Sequence, residues 1–164
     1  EEKKMTIQVG DTLPSINLMT MTTEGPKPIS MTEISSGKKV VLFAVPGAFT
    51  PTCSAQHLPG FIEHNKELRD KGIDVVACVS VNDPFVMKAW GEDKKVGEEV
   101  LMLSDGNGEF TAAIGLEMDG SGFGLGTRSQ RYAMIIDDGV VSALNVEPGP
   151  GIDVSSAEKI LEQL

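Results

Sequence analysis

The chain has 164 residues, 40% of them hydrophobic and 23% charged, with a formal net charge of −10, the profile of one soluble globular domain able to bury a core. The charge argues against a nucleic-acid or anionic-membrane surface, both of which need concentrated Lys and Arg, and no apolar run approaches the length of a membrane span. Two cysteines are too few for a secreted disulfide scaffold and fit a reducing compartment. With no apolar signal core in EEKKMTIQVG, a cytoplasmic location is expected, or an organelle if a targeting peptide has been removed. Residues 1–4 read as a processed tail or tag. No repeat, linker or compositional break divides the chain, so residues 1–164 read as a single domain.

In chain order, residues 39–45 (KVVLFAV) form a continuous apolar run, as in a strand covered on both faces. Residues 46–51 (PGAFTP) are dense in turn formers. From residue 52 to about residue 71 the spacing is helical: Leu58, Phe61, Ile62, Asn65 and Leu68 recur at intervals of three and four among charged neighbours. Pro59 and Gly60 predict a kink or restart, and Gly72 a C-terminal stop. Residues 74–81 (DVVACVSV) read as a second buried strand, 85–91 as a short helix carrying Trp90, 99–104 (EVLMLS) as a third strand and 109–114 as a short helix. The glycine-rich residues 120–126 read as a flexible loop. Residues 131–136 and 140–146 flank Asp137–Asp138–Gly139 as a hairpin, and residues 155–164 form a closing helix with Ile160, Leu161 and Leu164 as its apolar stripe. This alternation predicts an α/β fold with a central mixed β-sheet flanked by helices. A thioredoxin-like architecture fits it, and pattern alone leaves a flavodoxin-like order open.

Cys53 falls in the first turn of a helix, beyond the C-terminal end of an apolar strand. Unpaired backbone N–H groups and the positive end of the helix dipole both favour thiolate there, and cysteines so placed have pKa values of roughly 3.5–7.5. Ionisation alone gains only about 10–30-fold in reactive species, part of it returned as weaker nucleophilicity. Fast chemistry needs donors aimed at the transition state, each worth about 3–4 kcal/mol. Thr50, three residues earlier, supplies a hydroxyl, the Cys53 N–H supplies a second donor, and an arginine from elsewhere would hold the thiolate and polarise the attacked atom. The competing reading is a buried, inert cysteine.

Pro46, Thr50 and Cys53 form P-x-x-x-T-x-x-C, which resembles the active-site motif of peroxiredoxins. The longer string PGAFTPTCSAQHLPGF, with VVACVSVNDPFVMKAWG and RYAMIIDDGVVSALNVEPG, resembles the type II, peroxiredoxin-5-like branch. The resemblance implies a thioredoxin fold and reduction of hydrogen peroxide and organic hydroperoxides without metal, haem, flavin or other cofactor. It implies that Cys53 is the peroxidatic cysteine and forms a sulfenic acid. Thr50 would hydrogen-bond the peroxide and thiolate, and Pro46 would shield the sulfur. Arg131, before Tyr132 at the start of a late strand, matches the family's active-site arginine, with Arg128 as the second candidate. Phe49 and residues after Asn82 would line the rim of the site, where homodimers of the family form.

His57, four residues after Cys53, reads as a partner supporting the arginine or the thiolate, or as a partly buried polar residue at the kink. A zinc site lacks further ligands at useful spacing. Cys78, inside DVVACVSV, reads as a small core residue or as a resolving thiol, and its mid-strand position makes a bridge to Cys53 difficult without local unfolding. Some relatives carry a resolving cysteine after the NVEP segment, where this chain has Ser155 and Ser156. The expected reductant is therefore an external thiol, glutathione with glutaredoxin or thioredoxin. Two other readings share the residues: a peroxide-sensing relay that passes oxidation from Cys53 to a partner, and a binding module with vestigial chemistry. Met19, Met21 and Met31 read as packing or surface residues.

Overall fold

Alternation along one strand decides the layering. Within β3 (Lys39–Ala44), Val40, Leu42 and Ala44 face one apolar cluster while Val41 and Phe43 face another, as a period of two requires. A strand apolar on both sides has to lie inside a sheet covered on both faces. In the computed structural model, which describes residues 6–149 and 151–164 and Cys53 by its backbone alone, β3 is such a strand. The tail at residues 1–4 lies outside the described residues.

Around β3 runs a seven-stranded mixed sheet. Its central strands are β3, β4 (Val75–Ser80) and β5 (Leu101–Ser104), which are parallel to one another. The hairpin of β1 (Asn17–Thr22) and β2 (Gly25–Ser30) extends the sheet antiparallel beyond β5. On the other side lie β8 (Tyr132–Asp137) and β9 (Val140–Val146), antiparallel beside β3; β6 (Glu117–Asp119) and β7 (Thr127–Ser129) form a separate two-stranded ribbon.

One face is covered by α1 (Met31–Ser35) and α5 (Glu109–Ile114), which bury Met31, Ile34, Phe110 and Ile114. The other carries α2 (Leu58–Glu63), α3 (Asn65–Asp70), α4 (Pro84–Asp93) and α6 (Ala157–Glu162), which bury Leu58, Phe61, Leu68, Met87, Trp90, Ala157 and Ile160. Side-chain caps start several of these helices: Asp83 on α4, ahead of Pro84, and Ser156 on α6, as the missing i−4 partners of a first turn demand. This is the mixed-sheet α/β architecture that the element order predicts. Because β3, β4 and β5 run the same way, their C-terminal ends share one edge of the sheet. Loops that gather there are where open α/β sheets place their sites.

Two features differ from the sequence reading. The hairpin β1–β2 and helix α1 were not recognised, because GPKPIS in β2 holds two prolines. Pro26 and Pro28 stand in the strand at the end of the sheet order, the one place where a missing N–H breaks no ladder. Residues 120–126 are not an open loop. They close the β6–β7 ribbon through Gly120 N–H to Gly126 O (2.7 Å) and Leu125 N–H to Gly120 O (3.0 Å). A Cβ on Gly120 would meet Leu125 Cβ at 2.9 Å, so the close approach needs glycine there. The restart expected at Pro59 and Gly60 is present: a π-helical turn, Cys53–His57, gives way to α2 at Leu58, with Pro59 in its first turn, and a further break falls at His64. Proline clashes with the carbonyl four residues earlier and donates nothing to it, and a wider turn relieves both problems.

Phe43 joins the sheet to the helical layer, its ring stacked on Phe61 with centroids 4.1 Å apart and planes 7° from parallel. Phe43→Ala is expected to lower the unfolding free energy by about 3–5 kcal/mol, read from urea denaturation; a loss below about 1 kcal/mol would show that the layer does not depend on this stack.

Candidate active site

After β3 the chain leaves the sheet edge at Pro46, turns, and re-enters a helix at Pro51. The turn is held from three directions. Asn82, just beyond β4, accepts through Oδ1 from Ala48 N–H (3.0 Å) and from the Ser80 hydroxyl (2.6 Å). Arg128, in β7, donates from Nη1 to Pro46 O (3.4 Å) and from Nε to Leu125 O (2.9 Å), so it clamps the turn to the β6–β7 ribbon. Phe49 takes a φ of 64°, a left-handed conformation that a bulky residue adopts only where its surroundings demand it. Its ring is tilted against Trp90 at 6.4 Å, and half of the residue stays exposed.

Thr50 immediately precedes the helix. Its carbonyl accepts from Ser54 N–H (2.9 Å), the first helical bond, and its hydroxyl donates to Gly47 O (2.7 Å). With its proton on Gly47 O, that hydroxyl keeps lone pairs able to accept. Cys53 stands third in the helix and opens the π-helical turn. Its backbone thus lies in the first turn, as the sequence predicts; its side chain lies outside the description. Next to it, Ser54 Oγ accepts from Trp90 Nε1–H (2.8 Å), which ties this turn to α4.

His57 ends the same turn and is 1% exposed. Its ring packs tilted against the stacked pair of Phe43 (5.0 Å) and Phe61 (5.6 Å). Both nitrogens are used: Nε2 is 2.9 Å from Ser155 O and Nδ1 is 2.8 Å from Arg131 Nη1. A carbonyl can only accept and a guanidinium can only donate. Nε2 therefore carries the proton, Nδ1 accepts, and the imidazole is neutral. The electrostatics agree. Burial pushes the His57 pKa down from 6.5 to about 3; the Ser155 hydrogen bond acts upward, and the Arg131 cation downward. His64 shows the opposite behaviour at the surface, where the hydrogen bond to Glu67 raises its pKa despite some burial, with Glu158 adding to the rise.

Of the two arginines considered, Arg131 is the one brought to the helical turn of Cys53, and Arg128 is the one on the Pro46 carbonyl. Cys78 is fully buried in β4, between Phe43 of β3 and Met102 of β5 and in the apolar cluster of Trp90 and Phe61. Ser155, in the segment where some relatives carry a resolving cysteine, is also fully buried, its hydroxyl donating to Glu147 Oε2 at 2.6 Å. Sequence reasoning missed Asn82 and Glu147 as parts of the site. Asn82 stood in an evident turn, Asn82–Asp83–Pro84, but what its amide touches is a long-range fact. Glu147 lay in a quoted motif without a role.

Among the described residues no group of three or more His, Cys, Asp and Glu is gathered that could hold a metal ion, and no helix is long and apolar enough to cross a membrane.

The family model described as Redoxin matches residues 8–161. Peroxiredoxin-2E, chloroplastic, of Arabidopsis thaliana is 52% identical over 162 residues, covering 96% of this chain and 69% of that protein. Peroxiredoxin-2E-2, chloroplastic, of Oryza sativa subsp. japonica is 56% identical over 164 residues, covering 97% and 73%. Among solved structures, reduced Prx3 of Vibrio vulnificus in complex with H2O2 superimposes with a TM-score of 0.93 at 57% identity, covering 96% of this chain and 99% of that one.

Because the folded state keeps His57 neutral while the unfolded chain protonates it near its ordinary value, stability from this residue is complete above about pH 6.5 and is lost as pH falls toward 3. Between pH 7 and pH 4 the loss is expected to be about 3 kcal/mol. Urea titrations of the wild type and His57→Gln at both pH values check it: the variant should lose less by about that amount, and equal losses would contradict a buried neutral imidazole.

Proposed function

The chain belongs to the redoxin family and is a type II peroxiredoxin, a thiol peroxidase, and from that premise we propose that Cys53 is its peroxidatic cysteine, with Thr50, Arg131 and Pro46 completing the catalytic site. The observation that carries this reading is the contact between Arg131 Nη1 and His57 Nδ1. It brings a permanent cation, from a residue far along the chain, to the helical turn that opens with Cys53.

In the first step the Cys53 thiolate attacks the terminal oxygen of a hydroperoxide. An S–O bond forms and the O–O bond breaks. The sulfur is oxidised to sulfenic acid, and the departing alkoxide or hydroxide takes a proton from solvent and leaves as alcohol or water. Negative charge moves from sulfur to the leaving oxygen, so donors fixed beside that oxygen lower the barrier. The Arg131 guanidinium supplies them and also favours the thiolate before reaction. The Thr50 hydroxyl, its own proton on Gly47 O, accepts the hydrogen bond of the incoming hydroperoxide and so aligns the O–O bond. Pro46 shields the sulfur from water. Arg128 supports the turn without touching the reacting atoms.

The sulfenic acid is resolved by an external thiol. That thiol's sulfur attacks, water leaves, and the resulting mixed disulfide is reduced by a second thiol, from glutathione with glutaredoxin or from thioredoxin. Two features favour this over an internal bridge: Cys78 is sealed in the sheet, and a serine, also buried, occupies the C-terminal segment. The reading includes a homodimer across the rim of the site, where Phe49 and Phe85 are 50% and 62% exposed. For the compartment, the chloroplastic relatives make a reducing organelle matrix as fitting as the cytoplasm.

Cys53→Ser should abolish peroxide consumption, while Cys78→Ser keeps most of it with an external thiol. Assays against a reductant panel, with mass spectrometry of the Cys53 product, test both: a Cys53–Cys78 disulfide as the main product would overturn external resolution. Oxidation of Cys53 that no physiological thiol reverses would favour the relay over the peroxidase. Thr50→Val should slow peroxide attack by about 10²-fold or more, measured by stopped flow. Phe85→Glu should shift the sedimentation of the native protein from dimer to monomer; a wild-type monomer at micromolar concentration would remove the dimer from the reading.

A further inference from the structure

Glu147 follows β9 and is 9% exposed, a position where a carboxylate needs partners. It has four, all on Oε2: the backbone N–H groups of Asp153 (2.8 Å), Val154 (2.9 Å) and Ser155 (2.8 Å), and the Ser155 hydroxyl (2.6 Å). Three successive amides converging on one anion shape the backbone of residues 153–155 into a cradle. That shape aims Ser155 O at His57 Nε2, and His57 Nδ1 receives Arg131 Nη1. The circuit then closes, since Glu147's own N–H donates to Arg131 O at 2.9 Å. Arg131 is thus held at both ends: its backbone by the backbone of Glu147, and its guanidinium by the side chain of Glu147 acting through the cradle and His57.

The indirect route has a physical consequence. A carboxylate directly on the guanidinium would fix it but would also offset its charge and compete with the thiolate and peroxide for its donors. The neutral imidazole takes one guanidinium N–H and leaves the positive charge in place. The tautomer that permits this depends on Ser155 O, and Ser155 O depends on Glu147. Burial raises the cost of the Glu147 anion, but the hydrogen bonds from Ser155, Asp153 and Val154 outweigh it and hold its pKa below the usual carboxylate value, so the clamp is charged at neutral pH.

We propose that Glu147 is a positioning residue for the catalytic arginine, fixing the Arg131 guanidinium beside the Cys53 turn by way of residues 153–155 and His57. Its kinetic consequence rests on the peroxidase reading; the positional link does not. Two measurements separate them. ¹⁵N NMR of the reduced full chain reads the His57 tautomer with no reaction involved. The wild type should show a single Nε2–H form in slow exchange with water, and Glu147→Ala should lose it. Stopped flow reads the rate of Cys53 with H2O2 relative to its rate with iodoacetamide, a ratio that loosening of the fold alone does not lower. Glu147→Ala should lower it about 10–100-fold. Glu147→Gln, which keeps an acceptor oxygen, should restore it to within about threefold. Ser155→Ala, which removes one contact and keeps the carbonyl, should shift both readouts in the same direction by less, and serves if the alanine variant at 147 does not fold. A wild-type tautomer and ratio in Glu147→Ala, or in Ser155→Ala should the former not fold, would overturn the proposal. A wild-type protein no faster with H2O2 than with iodoacetamide would overturn the peroxidase reading and with it the kinetic role, leaving the NMR result to decide the positional link.

Discussion

The site depends on holding a guanidinium still without neutralising it. Arg131 carries a permanent charge on a long, rotatable side chain, and its order costs rotamer entropy that surrounding contacts must offset. The hydrogen bond to His57 Nδ1 accomplishes this because the imidazole is deeply buried and therefore neutral. The cluster of Phe43, Phe61 and His57 is more than core packing: by keeping water from the imidazole, it keeps the lone pair that accepts from Arg131.

The sheet makes this arrangement possible. Parallel β3, β4 and β5 end at a common edge, so the turn after β3, the Asn82 amide after β4 and the Cys53 helix come together there. Antiparallel β8 then lies directly beside β3, with Tyr132 paired to Ala44, and that register sets Arg131 one residue beyond the end of β3. A shift of one residue would turn the side chain to the other face of the sheet. The π-helical turn contributes similarly. It spans the stretch from Cys53 to His57 and absorbs the defect that Pro59 imposes, a setting in which such turns are often found near functional groups.

Several parts of this were legible in the chain itself. Long, doubly apolar strands such as KVVLFAV and DVVACVSV announce a covered sheet, and the order of strands and helices limits its architecture. The run from Pro46 to Cys53 carries its chemistry in local spacing, because a helix start brings sequence neighbours together. Strand β2 was hidden because its prolines are tolerated only at an edge, and an edge is a property of the assembled sheet. Residues 120–126 were misread because glycine serves both an open loop and a tight crossing, and only the contact with Leu125 distinguishes them.

What the sequence alone determined, then, is the local part: a mixed α/β fold, a cysteine in the first turn of a helix, a threonine one turn ahead of it, and arginines at positions 128 and 131 as candidates. Tertiary structure decided which arginine reaches the helix, which tautomer His57 adopts and which groups Glu147 holds. Each of those rests on a hydrogen bond between residues distant in sequence, and the donor and acceptor that meet across such a gap are chosen by the packing of the sheet and its helices.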